Sequence, residues 1–276
     1  MGKYNKAKEE LLINGYTLIK SDEFYKIKMD LIKNLKDMAL IILSKCEIEK
    51  KILNYLQDLS FQELIDWCIN NETDNYFSQK FYELFPANPF SISLVGNPFF
   101  LTLAKELGLE EPVPSTLPII RIDRPSEEIY KTPSHQDFWF SMLSKTSITL
   151  WFSIIENSKE MGFLNIFPRS HVEGIYPIKF FSEQNPFVIF NEPNEDNFIE
   201  VNPSKDELLI FSQFLIHKSG NNISQKPRVT MQIRYNDLLT CSKMTSSYTV
   251  NQSVYSSKKQ KEWLDKSKRF MRKKTK

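Results

Sequence analysis

Hydrophobic positions recur at two different periods along this chain, three to four residues apart in its first part and two apart after about residue 117. Behind Ser21, the residues Phe24, Ile27, Leu31, Leu35, Met38 and Ile42 fall on one helical face. Ser21 with Asp22 and Glu23 supplies an N-cap and an acidic first turn. Ser60 and Glu63 form a capping-box pattern ahead of Leu64, Ile65, Trp67 and Cys68, while Asn97-Pro98 opens another helical stretch and Gly108 closes it. Residues 21–108 are therefore expected to be mainly helix. Strand patterns then take over: Glu207 to Ile216 is a buried apolar run, and Arg228 to Tyr235 alternates polar with apolar. Helices first and strands afterwards predict an α+β arrangement with helices packed on one outer face of a sheet.

The candidate chemistry lies on the strands. In His135-Gln136-Asp137, alternate residues of an extended backbone project to the same side, so one segment delivers an imidazole and a carboxylate to one point while Gln136 projects elsewhere. His217, at the end of the apolar run, supplies a second imidazole. Two imidazoles and one carboxylate are the facial set that leaves half of an iron(II) coordination sphere open for a cosubstrate and dioxygen. Lys218-Ser219-Gly220-Asn221-Asn222 has turn composition, and a hairpin-like return brings Arg228 near His217. An arginine fork suits the far carboxylate of a dicarboxylic cosubstrate, with Ser219 adding a hydroxyl.

Arg234 shares the strand face of Arg228, but the spacing from His217 favours Arg228 for that role. Thr230, Gln232 and Arg234 then lie on the pocket side, Arg234 touching substrate or stabilising the fold. Aromatic residues directly after such a motif are more often core than substrate wall, yet Trp139 has the strand parity of the proposed ligands and is a candidate for the wall. His171 sits in a turn motif without a spaced partner and reads as structural or solvent-facing.

These residues resemble the phytanoyl-CoA dioxygenase-like branch of the iron(II)/2-oxoglutarate oxygenases, and the resemblance extends over most of the chain. The stretch from Glu9 to Ile19 looks like the family's opening helix and strand, with its Gly15-Tyr16 pair. Ile119 to Pro125 is similar to the strand before the metal motif, and Pro133-Ser134-His135-Gln136-Asp137 to the motif itself. Leu150 to Ile154 resembles the following strand, and Met161 to His171 the Gly-x-Leu and Pro-Gly-Ser-His elements, except that Arg169 replaces the glycine. His217-x-Ser219 and Arg228 match the distal histidine, serine and arginine in order and spacing.

The resemblance implies a double-stranded β-helix, a jelly-roll or cupin-like core, with the N-terminal helices on the outer face of its major sheet. It implies iron(II), 2-oxoglutarate and dioxygen as cofactor and cosubstrates. It also assigns Trp151, Gln136 and Ile120 beside the 2-oxoglutarate. The implied reaction is hydroxylation of an unactivated C–H bond of a small molecule, with release of succinate and carbon dioxide. Related halogenases carry a small residue where this chain has Asp137. Desaturation and epimerisation need the same ligands, and a non-enzymatic binding protein on the scaffold, or a metal-dependent hydrolase or isomerase, stays open as an alternative.

Composition adds bounds. A chain of 276 residues, 41% hydrophobic, can bury a sizeable core and is read as one domain, with a helical cover over about 1–116, a jelly-roll core over about 117–240 and a basic tail over about 254–276. The net charge of +2 argues against a general nucleic-acid surface, although Arg121, Arg124, Lys131, Arg234 and the tail permit an anionic small-molecule substrate. Substrate contacts are accordingly expected from Trp139, Arg234, Gln232 and Arg121. Cys46, Cys68 and Cys241 are few and lack a metal-ligand spacing, which suits a reducing cytoplasm, and no apolar run reaches membrane-spanning length. The segment between His171 and Asp206, without clear periodicity, reads either as a lid or as a surface excursion. Oligomeric state is not legible.

Overall fold

The computed structural model describes residues 3–72, 74–126, 131–141, 144, 146–182 and 187–240. Cys241 and the basic tail lie outside the described residues. Among the described residues, seven helices precede residue 107: α1 (Asn5–Asn14), α2 (Asp22–Leu43), α3 (Lys50–Asp58), α4 (Phe61–Asn71), α5 (Tyr76–Leu84), α6 (Pro89–Val95) and α7 (Pro98–Glu106). Their ends follow local chemistry. The Ser21 hydroxyl accepts from the Phe24 N–H at 3.3 Å, Ser60 and Glu63 close a full capping box, and the Asn97 side chain accepts from the Phe99 N–H at 2.9 Å ahead of Pro98.

The strands are β1 (Tyr16–Lys20), β2 (Pro112–Pro114), β3 (Ile119–Asp123), β4 (Ser147–Ser153), β5 (Leu164–Ile166), β6 (Ile178–Lys179), β7 (Val188–Ile189), β8 (Ile199–Val201), β9 (Glu207–Ser212), β10 (His217–Ser219) and β11 (Arg228–Asp237). The major sheet runs β1-β9-β4-β11-β2 with β3 also paired to β11, and a minor sheet runs β10-β5-β8. All named pairings are antiparallel. The architecture is the expected jelly roll with helical cover.

The period-two alternation of the major sheet divides its side chains between two cores. Ile120, Ile122, Ile148, Leu150, Phe152, Leu208, Ile210, Val229, Met231 and Ile233 face the helices, where they join Phe24, Leu31, Leu35 and Phe100 in one buried cluster. The opposite face presents Trp151, Leu209 and Phe211 to Leu164 and Ile166 of β5 and Val201 of β8. Every residue of β4 is buried because it is the sheet's centre and both faces are covered. Between the two sheets, β11 delivers Arg228, Thr230, Gln232 and Arg234 on the same side as Trp151.

The segment after His171 is less irregular than its sequence suggests, because Ile178–Lys179 pairs with Val188–Ile189 and Ile199–Val201 joins the minor sheet. Arg169, standing where glycine was expected, keeps the left-handed backbone (φ +67°), and its N–H donates to the Asn14 carbonyl at 2.8 Å. His171 is a tie to the N-terminal helix, its Nε2 lying 3.0 Å from the Leu12 carbonyl. Among the described residues, no helix is long and apolar enough to cross a membrane.

Candidate metal centre

His135, Asp137 and His217 converge: one ligand atom from each lies within 4.8 Å of the others, and all three residues are buried. His135 and His217 face each other as an isolated antiparallel bridge, with backbone hydrogen bonds of 3.0 and 3.1 Å. Their rings stand 4.1 Å apart between centroids, and each Nε2 is 3.8 Å from Asp137 Oδ1.

The tautomers follow from the partners. His135 Nδ1 lies 2.8 Å from the Pro133 carbonyl and His217 Nδ1 lies 3.0 Å from the Leu215 carbonyl. A carbonyl can only accept, so Nδ1 carries the proton in both rings and each Nε2 lone pair faces the carboxylate, the usual outer-shell arrangement of metal-binding histidines. Burial, with the neighbouring His217 second, pushes the His135 pKa down to about 3, and burial likewise lowers that of His217. Burial opposes ionisation of Asp137, but Arg234 and the imidazoles outweigh it and hold the carboxyl below the ordinary range. Two neutral imidazoles and one ionised carboxylate in this disposition fit a divalent first-row metal with open positions.

Beside the triad is a small pocket of about 20 Å³ lined by residues that include Arg121, Thr132, Trp151, Ser219, Arg228 and Gln232. Strand register puts Asp123 of β3 directly opposite Arg228 of β11, and the Asp123 carboxylate accepts from Arg228 Nε at 3.0 Å and Nη2 at 2.6 Å. Arg228 Nη1 donates to the Gly162 carbonyl. Arg121 Nη2 donates to the other Asp123 oxygen at 2.9 Å, and its Nη1 donates to Thr132. Two guanidiniums thus flank a single carboxylate next to His217.

The geometry departs from several sequence expectations. The extended backbone stops at Asp137, because Phe138–Ser141 forms a short helix (α8) whose first N–H donates to the Gln213 carbonyl at 3.0 Å. Strand parity therefore does not reach Trp139, which packs with Ile178 and Phe187 in a separate apolar cluster. Gln136 does not reach the small pocket. Its amide donates to the Gly174 and Phe214 carbonyls at 2.8 and 2.6 Å and accepts from the Tyr176 N–H at 2.9 Å, pinning two loops. Ile120 faces the helices, since its neighbours Arg121 and Ile119 alternate with it across the sheet. Arg124 donates to Glu72 and Ser78, joining the end of β3 to the helical cover. Arg234 forks onto Asp137, with Nε to Oδ2 at 3.1 Å and Nη2 to Oδ1 at 2.8 Å.

Sequence reading missed Asp123, Thr132 and Thr149. Thr149 donates to Asp137 Oδ2 at 2.5 Å. Its parity with Trp151 on β4 was the available signal, as was that of Asp123 with Arg121 on β3.

A cleft of about 1000 Å³ shares Thr132 and Ser219 with the small pocket. Its charged lining is mixed, with Lys131, Lys159 and Lys218 against Glu160, Glu192, Glu195 and Glu200. Lys218 is paired to Glu195 at 2.5 Å. Part of the segment after His171 lines this cleft through Phe181, Glu192, Glu195 and Glu200.

Residues 96–230 match the family model described as Phytanoyl-CoA dioxygenase (PhyH). No curated protein matches the chain in sequence. The fold is similar to that of EvdO2 from Micromonospora carbonacea var. aurantiaca complexed with 2-oxoglutarate, at 13% identity over 85% of this chain and 91% of that one, with a TM-score of 0.52. It is similar also to apo ThoJ, a non-heme monooxygenase, at 11% identity over 95% and 99% of the two chains and a TM-score of 0.54. A third likeness is to EctD from S. alaskensis with 2-oxoglutarate and 5-hydroxyectoine, at 14% identity over 86% and 77% and a TM-score of 0.54. At such identities the likeness is one of fold.

Proposed function

We propose that this chain, whose residues 96–230 match the phytanoyl-CoA dioxygenase family model, is an iron(II)/2-oxoglutarate oxygenase that hydroxylates an unactivated C–H bond of a polar small molecule. The observation that carries the reading is the meeting of His135, Asp137 and His217 beside a pocket holding Arg228 and Ser219. When bound, iron(II) and 2-oxoglutarate supply the power to oxidise such a bond with dioxygen, giving succinate and carbon dioxide as coproducts.

The chain's residues bind, orient and exclude water. His135 and His217 present fixed Nε2 lone pairs, and Asp137 adds the single negative charge of the ligand set. Arg228 holds the distal carboxylate of the cosubstrate. Its Nε and Nη2 are fixed by one Asp123 oxygen and its Nη1 by Gly162, so the fork is oriented before any ligand arrives. Ser219, buried on β10, adds a hydroxyl, and Trp151 and Leu164 wall off water.

Thr132 and Ser219 stand where the small pocket meets the large cleft, which we assign to the substrate. The mixed charge of the cleft, with four glutamates and three lysines among its described residues, suits a hydroxylated or zwitterionic molecule better than a polyanion or a long acyl chain. Gln232 and Arg121 stay near the cosubstrate in this reading.

The test is anaerobic. Iron(II) plus 2-oxoglutarate added to the protein should give the weak visible charge-transfer band of the chelate, and His135→Ala should abolish it while circular dichroism stays native. A band of full intensity in that variant would remove His135 from the ligand set. Succinate release across a panel of polar metabolites then identifies the substrate.

A further inference from the structure

We propose that Arg234 is a positioning residue that locks the Asp137 carboxylate in one orientation, with Oδ1 toward the two imidazoles and Oδ2 withheld from the metal. The inference rests on the metal-centre reading above and extends it to a residue outside the ligand set and outside the cosubstrate clamp.

Oδ2 of Asp137 accepts two hydrogen bonds, from Thr149 Oγ1 at 2.5 Å and from Arg234 Nε at 3.1 Å. Oδ1, which accepts from Arg234 Nη2 at 2.8 Å, is the oxygen 3.8 Å from both imidazole nitrogens. The two donors are placed by the same strand register, because Arg234 of β11 lies directly opposite Thr149 of β4. Arg234 is held in turn: its Nη2 also donates to Gln232 Oε1 at 2.7 Å, and the guanidinium carbon lies 5.7 Å from the centre of the Phe140 ring. Asp137 and Thr149 are each 1% exposed and Arg234 8%, so water does not compete for these bonds.

Two consequences follow. A carboxylate that chelates through both oxygens takes up two metal positions, and here that would require Oδ2 to abandon both donors. The lock therefore keeps open the positions a chelating cosubstrate needs. In addition, the guanidinium neutralises the carboxylate, so a bound divalent ion keeps more of its charge for an anionic chelator, while its hold on the protein is weakened. Removing Arg234 should then move two affinities in opposite directions, a pattern that loss of general structural support does not give.

The experiment uses the full chain. Cobalt(II) affinity is measured by competition with a chromophoric chelator, and 2-oxoglutarate is then titrated into protein saturated with iron(II) under argon, following the visible band. Arg234→Gln should leave the metal affinity equal or tighter, weaken 2-oxoglutarate by about tenfold through the lost neutralisation of Asp137, and shift the band. Arg234→Lys, which keeps the charge but not the fork, should recover part of the 2-oxoglutarate affinity. Thr149→Val should shift the band in the same direction by a smaller amount without changing the site's charge.

The lock is overturned if Arg234→Gln weakens metal and cosubstrate together, or if it leaves the band and the 2-oxoglutarate affinity of saturated protein unchanged. Should Arg234→Gln fail to fold, an unshifted band in Thr149→Val overturns it equally. Absence of any band in the unaltered protein would instead sink the proposed function, while the cobalt(II) affinities still report whether Arg234 opposes metal binding.

Discussion

Replacing Arg228 by alanine removes the cation assigned to the far carboxylate of the cosubstrate, and its effect can be worked from the contacts. Arg228 is 3% exposed and makes three hydrogen bonds, two to a single Asp123 oxygen and one to the Gly162 carbonyl. Loss of hydrogen bonds to a charged ligand group costs roughly 1.5–3 kcal/mol, a weakening of about 10- to 150-fold in 2-oxoglutarate affinity. The variant also leaves Asp123 short of one partner. That carboxylate keeps Arg121 at 2.9 Å on its other oxygen, so the charge is not orphaned and the fold should survive with a lowered melting temperature. Isothermal titration of 2-oxoglutarate into metal-loaded protein measures the effect, with iron(II) or cobalt(II) affinity as the control that should stay within about threefold. An unchanged 2-oxoglutarate affinity refutes the reasoning and transfers the role to Arg121, because Arg234 is already committed to Asp137.

Other consequences can be checked on stability. Lys28, 5% exposed on α2, donates to the Lys205 carbonyl at 3.2 Å, and burial, offset in part by Asp206, lowers its pKa to about 8. Between about 8 and the ordinary 10.5 the unfolded chain binds more protons than the folded one, so stability should rise with pH across that window, and below it the penalty is constant. At neutral pH, Lys28→Met should therefore raise the melting temperature, by at most roughly 3 kcal/mol of stability less the lost hydrogen bond; a destabilised variant would show that the buried ammonium is adequately solvated. Gly162 has φ +75°, and a Cβ there would lie 2.5 Å from the Asn221 carbonyl oxygen, so Gly162→Ala should cost roughly 1–3 kcal/mol. Because its carbonyl also accepts from Arg228, the same variant should weaken 2-oxoglutarate binding, and an unaltered affinity would show that this carbonyl does not orient the fork.

The helical cover, the strands after residue 117, the His135, Asp137 and His217 set and the offset to Arg228 were legible because each rests on local spacing: helical periods, capping residues, or a motif of fixed length. Reach beyond the motif was not legible. A period of two holds only while the backbone stays extended, and the helical turn at Phe138–Ser141 ended it, which sent Trp139 into an apolar cluster and left Gln136 tying loops. Nor could parity say which arginine serves which carboxylate. Arg228 and Arg234 share one face of β11 and are equivalent by parity, yet pairing with β3 sets Asp123 against the first, and pairing with β4 sets Thr149, and through it Asp137, against the second. Charge pairing inside a protein is fixed by strand register and by exclusion of water, and both exist only once the sheets have closed.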